Sequence, residues 1–304
     1  MGVVTSVGMT GGDILRLLAS SSRWTIKKGD SGMNAVKTDE IRQTVREKYG
    51  RIAGGNGIGC CSGGGSGCCG SQIGDPGMIS KGLGYSDDDV GAAPQGANLG
   101  LGCGNPTAIA ALRPGEFVLD LGSGGGFDCF LAAGQVGETG HVIGVDMTPE
   151  MISKARANAE QGGYRNVEFR LGEIENLPVA DGIIDVILSN CVINLSPDKA
   201  RVFAEMFRVL KPGGRLAISD VVACGEMPEE IRRDMALYTG CIAGASPVSD
   251  IERMLADRGF VDIRVCPKDE SKSFIRDWAP GTNVTDYVIS ATIEAVKPAN
   301  VSLF

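Results

Sequence analysis

The stretch Phe117-Val-Leu-Asp-Leu-Gly-Ser-Gly-Gly-Gly-Phe-Asp128 constrains this chain more than any other. An apolar run passes directly into a glycine-rich turn, the pattern of a buried strand handing over to a helix. A second run, His141-Val-Ile-Gly-Val-Asp146, ends in an acid. Glycine lacks a Cβ and lets backbone approach a ligand closely. An acid at the tip of the next strand can accept hydrogen bonds from a ribose diol. Together the two features point to a cofactor that carries a nucleoside.

The turn narrows the choice. A dinucleotide turn reads G-x-G-x-x-G, its third glycine allowing the helix to pack on the strand. Here residue 127 is Phe, so that fingerprint fails at its last position. Asp120, just before the turn, suits a cationic ligand better than a pyrophosphate. S-adenosylmethionine carries a sulfonium and an ammonium and no phosphate. The pattern Asp120-x-Gly122-x-Gly124-x-Gly126, with Asp146 closing the next strand, resembles the class I methyltransferases. The alternative is a Rossmann-like domain that uses its glycines only as turns. Ser123 and Met147 complete the two candidate cofactor-binding turns.

From residue 117 onward strand and helix alternate. Strands are predicted near 117–122, 141–146, 167–172, 183–190 and 214–221, and helices near 127–136, 149–161 and 198–210. That rhythm specifies a parallel sheet with helices on both faces. A helix near 249–258 with Ser249 as cap, then strands near 261–266 and 286–296, complete a mostly parallel, seven-stranded Rossmann-like α/β sheet. The likeness to class I methyltransferases implies that the last strand runs antiparallel. Cofactor residues then fall at strand ends: Glu173 and Ile174 after strand three, and Asn190 at the end of strand four. Glu175 and Glu173 could equally be a solvated turn.

Four regions are expected. Residues 1–35 form a disordered extension, within which Met33 offers a second start. Residues 36–112 hold a helix from Thr38 to Tyr49, whose stripe is Ile41, Val45 and Tyr49, and a Cys/Gly-rich loop. The cofactor-binding core covers 113–225. A substrate-binding insertion and the last strands form a C-terminal cap over 226–304. A net charge of −8 lacks the basic face that nucleic acid needs. No run of about eighteen apolar residues offers a membrane span. Ten cysteines without an export signal point to thiols in the reducing cytoplasm.

Three cysteines fall where a substrate would sit: Cys191 directly after Asn190, Cys241 in the insertion, and Cys103 just before the core. Three converging thiolates suit a soft, thiophilic centre. Here the sequence Asn190-Cys-Val-Ile-Asn-Leu-Ser-Pro-Asp-Lys199, with Leu210-Lys-Pro-Gly-Gly214 and Cys241-Ile-Ala-Gly-Ala245, resembles the arsenite S-adenosylmethionine methyltransferases. Gly84-Tyr-Ser-Asp87 and Gly100-Leu-Gly-Cys-Gly-Asn-Pro106 extend the likeness, which runs from about Val36 to about Lys297. The resemblance implies arsenic detoxification, with Cys103, Cys191 and Cys241 as the arsenic ligands and Cys60 or Cys61 as a redox partner. It implies a trivalent arsenical as substrate and thioredoxin or glutathione as electron source.

Other readings remain open. Cys60-Cys61 with Cys68-Cys69 could hold structural zinc, although vicinal pairs fit a tetrahedron poorly. A methyltransferase acting on a quinone or another small organic nucleophile would need a base near the methyl group and no thiols. A metalloid sensor would need the thiols and no Asp146 pocket. His141 opens a strand and is expected to be structural; Cys129, Cys224 and Cys266 are expected in core or surface positions.

Overall fold

The structure is a computed structural model. It describes residues 30–55 and 75–299, with side chains from residue 38 onward. Cys60, Cys61, Cys68 and Cys69 lie outside the described residues, as does the start of the expected extension. Internal contacts divide the chain into two units between Asp39 and Glu40. The first unit is described only over residues 30–39, the opening turns of helix α1 (Asp30–Ala53).

That helix is longer than its sequence predicts. It begins at Asp30 rather than at Thr38, so residues 30–35 are helical. Once a helix is nucleated each further residue adds a bond, so an interior threonine need not cap it. Gly54 and Gly55 end it, Gly55 in the left-handed region at φ 73°.

The second unit is built on one sheet. Its elements are β1 (Phe117–Leu121), α2 (Phe127–Val136), β2 (His141–Asp146), α3 (Pro149–Gln161), β3 (Val167–Leu171), β4 (Ile184–Asn190), α4 (Lys199–Val209), β5 (Leu210–Ala223), β6 (Ser246–Pro247), α5 (Val248–Asp257), β7 (Val261–Lys268) and β8 (Val288–Val296). The strand order is β3-β2-β1-β4-β5-β8-β7. Pairs from β3 to β5 are parallel, and β8 runs antiparallel to both β5 and β7.

Two expectations need correction. The sheet has eight strands, because Ser246 and Pro247 pair in parallel with Val222 and Ala223 at the end of β5. Helix α5 starts at Val248 with Pro247 at the cap position, which puts Ser249 inside the first turn.

The alternation of β1 explains the two layers. Leu119 and Leu121 join one buried cluster with Phe203 and Met206 of α4 and Leu255 of α5. Val118 joins another with Phe130 of α2 and Ile152 of α3. Successive side chains of a strand point to opposite faces, so one apolar run serves both layers. Among the described residues no helix is long and apolar enough to cross a membrane.

Phe203 is fully buried between α4 and the sheet. Phe203→Ala should lower the unfolding free energy by about 3–5 kcal/mol, read by urea denaturation.

Candidate active site

The strand order reverses between β1 and β4, and at such a point a crevice opens outside the carboxyl ends of the strands. A cavity of about 740 Å³ lies there. Gly122 and Ser123 after β1, Asp146 and Met147 after β2, and Asn190 and Cys191 at the end of β4 all line it. So do Arg42, Val45 and Tyr49 of α1.

The glycine turn has more than one job. Gly122 sits at φ 69°, and a Cβ there would lie 2.3 Å from Val192. Gly126 is at φ 94°, and a Cβ would press into Phe130 at 2.7 Å and Phe169 at 2.8 Å. Gly126 is the N-cap of α2 and is not part of the cavity wall, so its need is packing.

Asp146 closes β2 as expected. Its Oδ2 accepts from the Gly124 N–H at 3.0 Å and its Oδ1 from Thr148 at 2.8 Å. Burial raises its pKa, and those two N–H groups act against the rise. Ile174 and Glu175 line the cavity. Glu173 does not; it pairs outside with Arg42 at 3.5 Å and Arg46 at 3.7 Å. Buried Glu175 accepts from Ser196 at 2.7 Å and from Arg42 at 3.2 Å.

The wall is acidic at its base. Asp120 is buried and accepts from the Cys129 thiol at 3.2 Å. Asp128, the first-turn acid of α2, accepts from the Tyr85 hydroxyl at 2.6 Å. Burial, then the charge of Asp128, pushes Asp120 well above the usual carboxylate range. Burial pushes Asp128 up to about 6 against hydrogen bonds from Tyr85 and Asn190. Two desolvated carboxylates in one cavity favour a cation beside them. Ser123 adds a buried hydroxyl with no partner in the protein. This donor set fits a ligand carrying positive charge and hydroxyl groups.

Asn190 faces the same cavity, but its amide is committed to the protein. Nδ2 donates to Tyr85 Oη at 3.0 Å, to the Gly104 carbonyl at 2.8 Å and to Asp128 at 3.3 Å. Oδ1 accepts from the Cys103 N–H at 3.0 Å.

Beyond Asn190 the thiols converge. Cys103, Cys191 and Cys241 are buried, free, and share one cluster. The Sγ atoms of Cys103 and Cys191 and an Asp220 oxygen all lie within 4.8 Å of one another. The Cys241 thiol donates to the Cys191 carbonyl at 2.8 Å. Cys191 and Cys241 line the cavity; Cys103 does not. Cys191 has φ 58° and Cys241 φ 65°, two of four non-glycine residues with positive φ among those described. Such a backbone costs of order 1–3 kcal/mol and concentrates at functional sites. Burial raises the Cys103 pKa; hydrogen bonds with Cys103 and Cys241, then burial, raise that of Cys191. Cys129 is buried in the other layer, and Cys224 and Cys266 are exposed.

Sequence reading missed several neighbours. Asp220, on β5, accepts from the Ile193 N–H at 2.9 Å, the Asn194 amide at 2.8 Å and the Val221 N–H at 2.7 Å. Its place in an apolar strand was the available signal. Lys199 donates to the Gly244 carbonyl at 2.6 Å and holds the Cys241 segment against α4. Asp128 and Tyr85 each stand in a motif quoted from the sequence, but nothing local pairs them, since they meet only in the folded chain.

Residues 112–259 match the family described as "Methyltransferase domain". The chain is 55% identical over 267 residues to the arsenite methyltransferase of Halobacterium salinarum, covering 86% of this chain and 68% of that one. The chain belongs to the arsenite methyltransferase family. It is 49% identical over 171 residues to the arsenite methyltransferase of Aquipseudomonas alcaligenes, 54% of this chain and 49% of that protein. A crystal structure of an arsenic(III) S-adenosylmethionine methyltransferase from Chlamydomonas reinhardtii is similar with a TM-score of 0.55 and 34% identity, over 74% of this chain and 75% of that one. The class I methyltransferase fold expected from the glycine turn is therefore present, with one strand more than expected.

Asp220 gives a pH test. Burial lifts it to about 6, above its unfolded value, so its contribution to stability is complete below the unfolded pKa and is lost as pH rises through 6. Asp220→Asn lacks this titration, and its amide would set a donor against donors. The variant should be less stable at pH 4, and its gap to wild type should narrow by up to about 3 kcal/mol by pH 7 in urea unfolding.

Proposed function

We propose that this protein methylates trivalent arsenic held by Cys103, Cys191 and Cys241, with S-adenosylmethionine as the donor. The observation that carries this is that Cys191 and Cys241 line the cavity that also holds the glycine turn and Asp146, with the free thiol of Cys103 within 4.8 Å of that of Cys191. The names of the relatives agree with it.

When bound, S-adenosylmethionine supplies a methyl group on a positively charged sulfur. Asp146 and Ser123 would hold its ribose, Ile174 and Met147 would flank its adenine, and Asp120 and Asp128 would face its cationic end. The thiols hold the nucleophile. Trihydroxy arsenic exchanges three hydroxides for three thiols, and each thiol proton leaves with a hydroxide as water. Neutral buried thiols therefore suffice, which agrees with the raised pKa values of Cys103 and Cys191. Sulfur is the soft donor such a centre prefers.

Arsenic bound by three thiolates keeps a lone pair, so transfer to it removes no proton and needs no base. A quinone or carbon acceptor would need one. The only histidine opens β2, roughly 16–17 Å along the strand from Asp146, and the acids facing the cavity, Asp120 and Asp128, already accept from Cys129 and from Tyr85 and Asn190. Holding the two reactants in place can supply about 7–11 kcal/mol.

Methyl transfer formally takes two electrons from arsenic. Two thiols joining as a disulfide return them, and Cys60 or Cys61 is the candidate partner. Thioredoxin or glutathione in the cytoplasm would then reduce that disulfide.

Two variants test the proposal with labelled methyl donor and mass-resolved arsenicals. Cys191→Ser should lower arsenite methylation by about 100-fold or more, the scale of loss when a reacting group is misplaced. Wild-type turnover by that variant would overturn the thiolate assignment. Asp146→Ala should weaken donor binding by about 10- to 100-fold in calorimetry, as expected on losing hydrogen bonds to a charged group.

A further inference from the structure

Helix α1 carries Tyr49 to the junction of the cofactor cavity and the thiol cluster. The side chain lines the cavity and packs in the cluster that holds Cys103, Cys191 and Cys241. Its hydroxyl lies 3.4 Å from the Thr239 carbonyl, two residues before Cys241. The preceding residue of the helix, Lys48, donates to the same carbonyl at 3.1 Å and to the Thr239 hydroxyl at 3.2 Å. Burial raises the Tyr49 pKa well above its ordinary value. A phenol O–H can donate, and this one sits in the same cluster as Cys241, two residues from the carbonyl it now faces.

The thiol chemistry gives this donor a task. In the structure the Cys241 sulfur donates its own proton to the Cys191 carbonyl. When that sulfur binds arsenic the proton departs with a hydroxide, and the sulfur becomes an acceptor only. A hydroxyl beside it can then donate to that sulfur, which no longer carries a proton of its own.

We infer that Tyr49 is a positioning residue for the third thiolate: its hydroxyl hydrogen-bonds Cys241 Sγ and, with Lys48 on Thr239, holds the Cys241 segment against the other two thiols. The inference rests on the three-thiol reading above. It makes α1 part of the substrate site. It also accounts for a tyrosine in a stripe where an apolar residue would pack equally well.

The test is a double-mutant cycle on arsenite affinity, read by equilibrium dialysis of the full chain with inorganic arsenite. Tyr49→Phe keeps the ring and removes the hydroxyl. It should weaken arsenite binding by about fivefold in the wild-type background, the loss expected for one ordinary hydrogen bond. In the Cys241→Ser background, where arsenite has only two thiols, the same change should have less than about a twofold effect, because the two residues act on one another. Equal losses in both backgrounds, or no loss in wild type, would overturn the inference. Near-ultraviolet circular dichroism of Tyr49→Phe checks that the fold is kept. Should that variant unfold, Tyr49→His, which keeps a ring donor, is compared across the same two backgrounds; a penalty of equal size in both overturns the inference and one confined to the wild-type background supports it. Failure of wild type itself to bind arsenite would instead sink the three-thiol reading.

Discussion

Asn190 has its whole side-chain amide engaged at the end of β4: it donates to Tyr85, Gly104 and Asp128 and accepts from Cys103. Four separate pieces of chain meet in those bonds. One is the wall of acids under the cofactor cavity, another is the loop that brings Cys103 into the core. The next residue, Cys191, still donates its N–H to Ser219 of β5 at 2.8 Å and then turns into the left-handed region. The last paired residue of β4 thus ties the cofactor end to the thiol end. An alanine in its place would leave buried acceptors and donors unpaired, a loss of about 1–3 kcal/mol for each group.

The same region concentrates buried charge. Asp120, Asp128, Asp146 and Asp220 are all held above their ordinary pKa by burial. Lys199 is the counterweight on the thiol side: burial lowers its pKa, while Asp220 and Cys241 draw it back up. Burial thus disfavours the charged forms of these acids, and a cation beside them would favour those forms again.

The core of this arrangement was legible in the sequence because its signals are local. The apolar run of β1, the glycines at 122, 124 and 126 and the acid at 146 are each read from neighbours in the chain, and the helices over 127–136 and 149–161 lie where the alternation puts them. Asn190 lines the cavity from the end of β4, although its bonds go to Cys103 and Tyr85, which are far away in sequence. Gly126 and Glu173 do not line the cavity: a Cβ at the first would meet Phe130, and the second pairs with Arg42. Tyr49 fits a helical stripe equally well as core or as site, and only tertiary contact distinguishes the two. The two-residue β6 is too short for any periodic signal.

The central claim is that one arsenic atom is bound by three sulfurs in this cavity. X-ray absorption at the arsenic edge of the wild-type protein, loaded with one equivalent of arsenite, measures that directly. Three sulfur neighbours and no oxygen are expected, falling to two sulfurs in Cys103→Ser, Cys191→Ser and Cys241→Ser alike. Retained oxygen in the wild-type first shell, or three sulfurs in any of those variants, would contradict it.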